Sequence, residues 1–141
     1  MSKHAIFVCK SCAFSLARRD YLGQRGGKHL CDRVQNLAQN WHLKDNFLIQ
    51  EVECLSACNR PCVVAFAAPK KTTLMFGDLL PLNSASAVLQ FAEQYFESSD
   101  GLIKRQDRPE VLQKGILARI PPLPSLSIVT GIYGYESCLY L

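Results

Sequence analysis

An α/β fold with a mixed four-stranded sheet and two main helices is what the sequence predicts, and three patterns predict it. Residues 28–41 and 85–98 carry apolar side chains at helical spacing. Four short apolar runs, 5–8, 47–52, 62–67 and 72–76, are rich in β-branched and aromatic residues. Cysteines gather at the ends of these runs, where an α/β sheet collects its ligands.

Each element follows from its residues. Ala5-Ile6-Phe7-Val8 suits a strand buried on both faces, with Cys9 at its carboxyl end. Residues 11–27 end in Gly26-Gly27 and read as a long, partly helical connection. In the first helix Leu30, Val34, Leu37, Ala38 and Trp41 share one face, and Asp32, Arg33, Gln35, Asn36 and Gln39 lie elsewhere. Phe47 to Val52 is the second strand, which gives a strand–helix–strand unit with parallel strands. Cys62 to Ala67 and Thr72 to Phe76 form an antiparallel hairpin through Ala68-Pro69-Lys70-Lys71. Asn83 or Ser84 supplies a side-chain cap for the second helix, whose stripe is Ala85, Val88, Leu89, Ala92 and Phe96. This order of elements is a minimal thioredoxin-like topology.

Further on, Asp107-Arg108-Pro109-Glu110 reads as a turn and Val111 to Ile120 as a short helix, halted by Pro121-Pro122-Leu123-Pro124. Residues 1–125 are therefore expected to form one domain. Residues 126–141, apolar and aromatic, are expected as a tail packed on the body or on a partner. A homodimer would cover one face of so small a sheet together with that tail.

Composition narrows the function. No segment of the 141 residues approaches the roughly 20 apolar residues that span a bilayer. The start offers only Ala5 to Val8 as an apolar stretch, too short for a signal-peptide core, so the expected location is cytoplasmic. Seven cysteines in a reducing compartment argue for a metal, a redox pair or buried thiols, not for a disulfide framework. The net charge of +4 is uneven: residues 1–30 hold Lys3, Lys10, Arg18, Arg19, Arg25 and Lys28 against Asp20. That surplus would guide an acidic partner or compensate thiolates. The basic residues form no stripe with interleaved aromatics, which argues against nucleic acid.

Two cysteine groups carry the chemistry. Cys9-x2-Cys12 follows the first strand, and Cys54, Cys58 and Cys62 recur at steps of four just after the second. Pro61 forbids one helix through all three, so Cys54 and Cys58 bracket a tight loop and Cys62 turns inward as the next strand begins. Thiolates so spaced can hold a [2Fe–2S] cluster or a structural zinc ion, each through four of them. Asn59 and Arg60 would add hydrogen bonds and positive charge that favour a reduced cluster. Cys9 and Cys12 alone could instead act as a dithiol oxidoreductase pair. Cys31 and Cys138 read as ordinary buried thiols. His4, His29 and His42 read as solvent-facing, without ligand spacing to either group, and no nucleophile–base pair or phosphate loop stands out. Glu51 and Glu53 read as exposed charges beside the site, and Trp41 as core.

A resemblance rests on Val8-Cys9-x2-Cys12, Cys54-Leu55-Ser56-Ala57-Cys58-x-Arg60-Pro61-Cys62, Phe76-Gly77-Asp78-Leu79, Asp100-Gly101-Leu102, Arg108-Pro109-Glu110 and Ala118-Arg119-Ile120-Pro121-Pro122. These segments resemble a family of predicted metal-binding proteins, domain of unknown function 1636, which is similar to thioredoxin-like [2Fe–2S] ferredoxins. The resemblance implies that Cys9, Cys54 and Cys58 are cluster ligands. In those ferredoxins the remaining ligand lies farther beyond the first than Cys12 does here, which leaves Cys12 and Cys62 as candidates for the fourth. The expected function is one-electron transfer or redox sensing with a redox or metal-handling protein partner, and not substrate-level catalysis. The alternatives are a structural zinc protein that binds a partner and the dithiol oxidoreductase.

Overall fold

A strand with no exposed face has to lie inside a sheet, and Ala5 and Cys9 on one face are buried as well as Ile6 and Val8 on the other. In the computed structural model, which describes residues 4–124, β1 (His4–Cys9) has neighbours on both sides. After β1 the chain makes a two-stranded hairpin of β2 (Asp20–Tyr21) and β3 (Gln24–Arg25), then α1 (Gly26–Ala38) and β4 (Phe47–Val52). A long loop leads to β5 (Val64–Ala67) and β6 (Thr73–Phe76), followed by α2 (Ala85–Glu97) and β7 (Ile116–Ile120). The main sheet has the order β4-β1-β5-β6-β7. β1 and β4 run parallel, Cys9 beside Val52, as the intervening helix requires, and the other neighbours are antiparallel.

The expected α/β fold with two main helices and a mixed sheet is present and broadly thioredoxin-like, but its sheet has five strands, not four. The fifth is β7, which lies where a short helix was expected over Val111 to Ile120. Leu112, Ile116 and Ile120 fall at helical spacing, yet Gly115 interrupts them at φ +80°, with its Cα so close to the Gly77 carbonyl that a Cβ would stand 2.7 Å from it. Only a 3₁₀ turn at Glu110–Leu112 precedes the break, and the chain after it pairs with β6.

The connection from residue 11 holds no helix before α1; the β2–β3 hairpin occupies it. Leu37, expected on the apolar face of α1, is exposed, whereas Leu30, Cys31, Val34, Ala38 and the following Trp41 are buried. The Trp41 indole N–H donates to Glu93 Oε2 on α2 at 2.7 Å. α2 packs Phe91 and Tyr95 against Phe66, with ring centres 4.8 and 6.0 Å away. Its N-cap is Ser84, but the hydroxyl accepts from the Leu80 N–H at 3.0 Å instead of capping a first-turn amide. Among the described residues no helix is long and apolar enough to cross a membrane. The expected tail, 126–141, lies outside the described residues.

Candidate metal centre

The sheet brings both cysteine groups to one edge. β1 delivers Cys9, whose N–H donates to the Val63 carbonyl at 3.1 Å, and the next residue, Lys10, donates to Val52 O at 2.9 Å. The chain then turns through Cys12 against the start of α1, where the Gly27 N–H donates to Cys12 O at 3.0 Å. A Cβ on Gly27 would stand 1.8 Å from Cys9 O, and one on Gly26 would stand 2.5 Å from Ala13 O. The glycine pair, read in the sequence only as the end of a connection, is what lets the helix begin against the cysteine loop. That close approach leaves no trace in hydrophobic periodicity.

From the end of β4 the second loop carries Cys54 and Cys58, with Ser56 between them at φ +61°. The Arg60 N–H donates to Ala57 O at 2.9 Å. Cys62 then exchanges both backbone hydrogen bonds with Leu79, each at 3.1 Å, and so enters the core before β5.

The five thiols are free and fall into two environments. Cys9, Cys12 and Cys62 are buried; Cys54 and Cys58 are exposed. Cys12 responds electrostatically to both Cys62 and Cys9, and Cys58 responds chiefly to Cys54 and more weakly to Cys9. The Ser56 N–H donates to Cys54 Sγ at 3.2 Å, and the Cys62 thiol donates to Ala13 O at 3.5 Å. The donors suit a thiolate-held metal in kind and number. They stand, however, as a chain of neighbours: among the described residues no three His, Cys, Asp or Glu side chains converge as a metal-holding group.

Proximity sets the protonation of the metal-free thiols. The Cys9 thiol is pushed well up by its hydrogen bond with Cys12 and by burial, against a weaker opposing pull from the Leu55 amide. Cys12 is pushed up to about 12, chiefly by Cys62 and further by burial, with Cys9 the main opposing influence. Cys58 is raised by Cys54. A thiolate-binding metal would have to displace these protons.

Other expectations meet a mixed outcome. The Arg60 guanidinium is committed to Asp78, with Nε donating to Oδ1 at 2.9 Å and to Oδ2 at 2.8 Å. Its charge is thereby compensated at a carboxylate and not offered to a sulfur. Glu53 is exposed as expected, but Glu51 is only partly so, and both pair with Lys10 at 3.6 Å (Glu51) and 3.3 Å (Glu53). Cys31 is fully buried, and burial pushes its thiol up to about 11. Of the histidines only His42 is exposed: His4 lies 2.9 Å from the Lys71 ammonium, and His29 meets the Tyr21 carbonyl. Cys138 lies outside the described residues.

A family model described as "Protein of unknown function (DUF1636)" matches residues 6–122. Among solved structures, a thioredoxin-like [2Fe–2S] ferredoxin from Aquifex aeolicus is similar, with a TM-score of 0.52 and 13% sequence identity over 86% of this chain and 96% of that one. At that identity the likeness shows a shared fold. No curated protein matches the sequence.

Proposed function

This chain belongs to the DUF1636 family, and on that premise we propose that it is a small iron–sulfur protein, holding a [2Fe–2S] cluster on cysteine thiolates for one-electron transfer or redox sensing. The observation that carries the reading is the approach of the two cysteine segments at the carboxyl end of β1, where the Cys62 thiol donates to the carbonyl of Ala13, next to Cys12, and the Cys9 N–H donates to the carbonyl of Val63, next to Cys62. Two irons held by four thiolates and bridged by sulfide exchange single electrons and keep no open position for a substrate. Cys9, Cys54 and Cys58 would each supply a thiolate, and Cys12 or Cys62 the fourth. The similar fold of a [2Fe–2S] ferredoxin supports the reading.

What this chain contributes is placement and hydrogen bonding. β1 and the start of α1 fix Cys9 and Cys12, while the exposed loop presents Cys54 and Cys58 toward solvent, where an electron could enter or leave. Amide donors such as Ser56 N–H, at 3.2 Å from Cys54, favour the more negative, reduced state and so raise a potential. The dithiol alternative finds less support: an attacking thiol of that kind has to be reached by its target, and Cys9 and Cys12 are both buried.

The test is electron paramagnetic resonance of anaerobically purified protein reduced with dithionite. The reading predicts the signal of a reduced [2Fe–2S] centre. A silent spectrum from protein that holds zinc in its place would favour the structural zinc protein.

A further inference from the structure

The surplus of positive charge near the amino terminus sorts into paired and unpaired cations. Lys10 pairs with Glu51 and Glu53, Lys28 with Asp32 at 3.3 Å and with Glu51 at 3.1 Å, and Arg25 with Asp20 at 3.3 Å. Arg18 and Arg19 are exposed and form no ion pair with a carboxylate among the described residues. The Arg18 guanidinium stands 5.9 Å from the centre of the Tyr21 ring, and neither charge is compensated by a carboxylate among the described residues.

Two leucines stand on the same pair of turns. Leu16 is 83% exposed and Leu22 is 80% exposed. Leu22 also has a backbone penalty. With Gly23 it makes the two-residue turn between β2 and β3, at φ +52° and +82°, and the first central position of such a turn favours Asn, Asp or Gly. A leucine there serves neither the turn nor the core.

The turns themselves are well held. The Phe14 N–H donates to Arg19 O at 2.9 Å, the Ser15 N–H to Arg18 O at 2.8 Å, and the Ala17 N–H to Ser15 Oγ at 3.2 Å. Phe14 and Tyr21 stack with ring centres 4.6 Å apart. The segment also leaves directly from the cysteine site, since Ala13 follows Cys12 and accepts the Cys62 thiol. An exposed apolar pair, two cations without a carboxylate partner and a braced backbone therefore adjoin the thiols.

Building on the electron-carrier reading, we propose that Leu16, Arg18, Arg19 and Leu22 form the docking surface for an acidic one-electron-transfer protein, which gives or takes the single electron that this chain accepts or returns. Arginines steer an anionic partner and orient it, and the leucines supply the apolar contact that holds it. A lipid surface is the poorer match, because stable attachment takes a longer apolar face or a polybasic stretch.

The probe is flavodoxin, an acidic one-electron carrier, mixed in its reduced form with the oxidised full-length protein. The second-order rate is expected to fall roughly tenfold in Arg18→Glu/Arg19→Glu and with rising salt. It should fall several-fold in Leu16→Ser/Leu22→Asn, with iron and sulfide content unchanged in both variants. In parallel, oxidised flavodoxin added to isotope-labelled protein should shift amide resonances over residues 14–23, a readout that needs no cluster. Unchanged rates with unmoved resonances would overturn the proposal. So would binding to phosphatidylglycerol vesicles that the same variants abolish, if the flavodoxin rate stays at the wild-type value. Wild-type protein without iron would defeat the electron-carrier reading alone, and the resonance shifts would then decide docking by themselves.

Discussion

Arg60 and Asp78 are joined through side chain and backbone at once. Nε and Nη2 of the guanidinium both donate to the carboxylate, and the Asp78 N–H donates to the Arg60 carbonyl at 2.9 Å. The pair ties the cysteine loop to the chain leaving β6, and Asp78 takes φ +62° to close it. Arg60 holds the Asp78 carboxyl below its ordinary value of 3.8. A carboxyl depressed in the folded state contributes stability that is complete above its unfolded pKa and is lost as pH falls through the folded one. Thermal midpoints of wild type and Asp78→Asn, taken from about pH 7 to about pH 2, should therefore differ near neutrality and draw together once pH falls below the unfolded carboxyl value. A constant gap would show that the carboxylate charge is not what holds the loop.

Gly27→Ala tests the close approach of α1 to the cysteine loop. The added Cβ would meet the Cys9 carbonyl at 1.8 Å, a backbone atom that cannot turn aside. Urea unfolding should show a loss on the order of 3 kcal/mol, the upper range for overpacking. Gly27 has no positive φ, so its cost is steric, whereas Ala at Gly23, at φ +82° with nothing within 4 Å, would show the cost of a positive φ alone.

Lys71 closes the far end of α2. Its buried ammonium donates to the carbonyls of Tyr95 at 2.7 Å and Phe96 at 3.0 Å, at the helix end where a cation is favoured. Lys71→Met keeps most of the packing and removes both of these hydrogen bonds together with the ammonium's contact with His4. It should cost about 1–3 kcal/mol in denaturant unfolding, the range for orphaned buried acceptors.

Much of this was legible in the sequence, and what was not has definite causes. β4 ran from Phe47 to Val52 as expected, because its apolar run stands between clear breaks. The fifth strand was hidden because Leu112, Ile116 and Ile120 mimic a helical face, and a single left-handed glycine decides the matter. Spacing drew attention to the five cysteines, and the apolar run after Cys62 announced its inward turn, but spacing cannot say that Cys12 is buried as well while Cys54 and Cys58 face water. Arg60 looked like a donor to sulfur because its partner, Asp78, is distant in sequence and is brought near only by the exit from β6.

Cysteine replacements should divide along the same lines. Cys31→Ala should keep its full iron content, because that thiol is enclosed by the core on α1, and should lose about 1 kcal/mol of stability or somewhat more. Ser in place of Cys9, Cys54 or Cys58 should lose or spectrally alter the cluster. Whichever of Cys12→Ser and Cys62→Ser does the same identifies the fourth ligand. Iron loss in Cys31→Ala alone would contradict the assignment.

The most direct test of the central claim is to assay iron, acid-labile sulfide and zinc per chain on one anaerobically purified sample, alongside its visible absorption spectrum. Two irons and two sulfides per chain, with the absorption of a [2Fe–2S] centre, are the expected result. Protein that carries stoichiometric zinc, or no metal, and is colourless would contradict it.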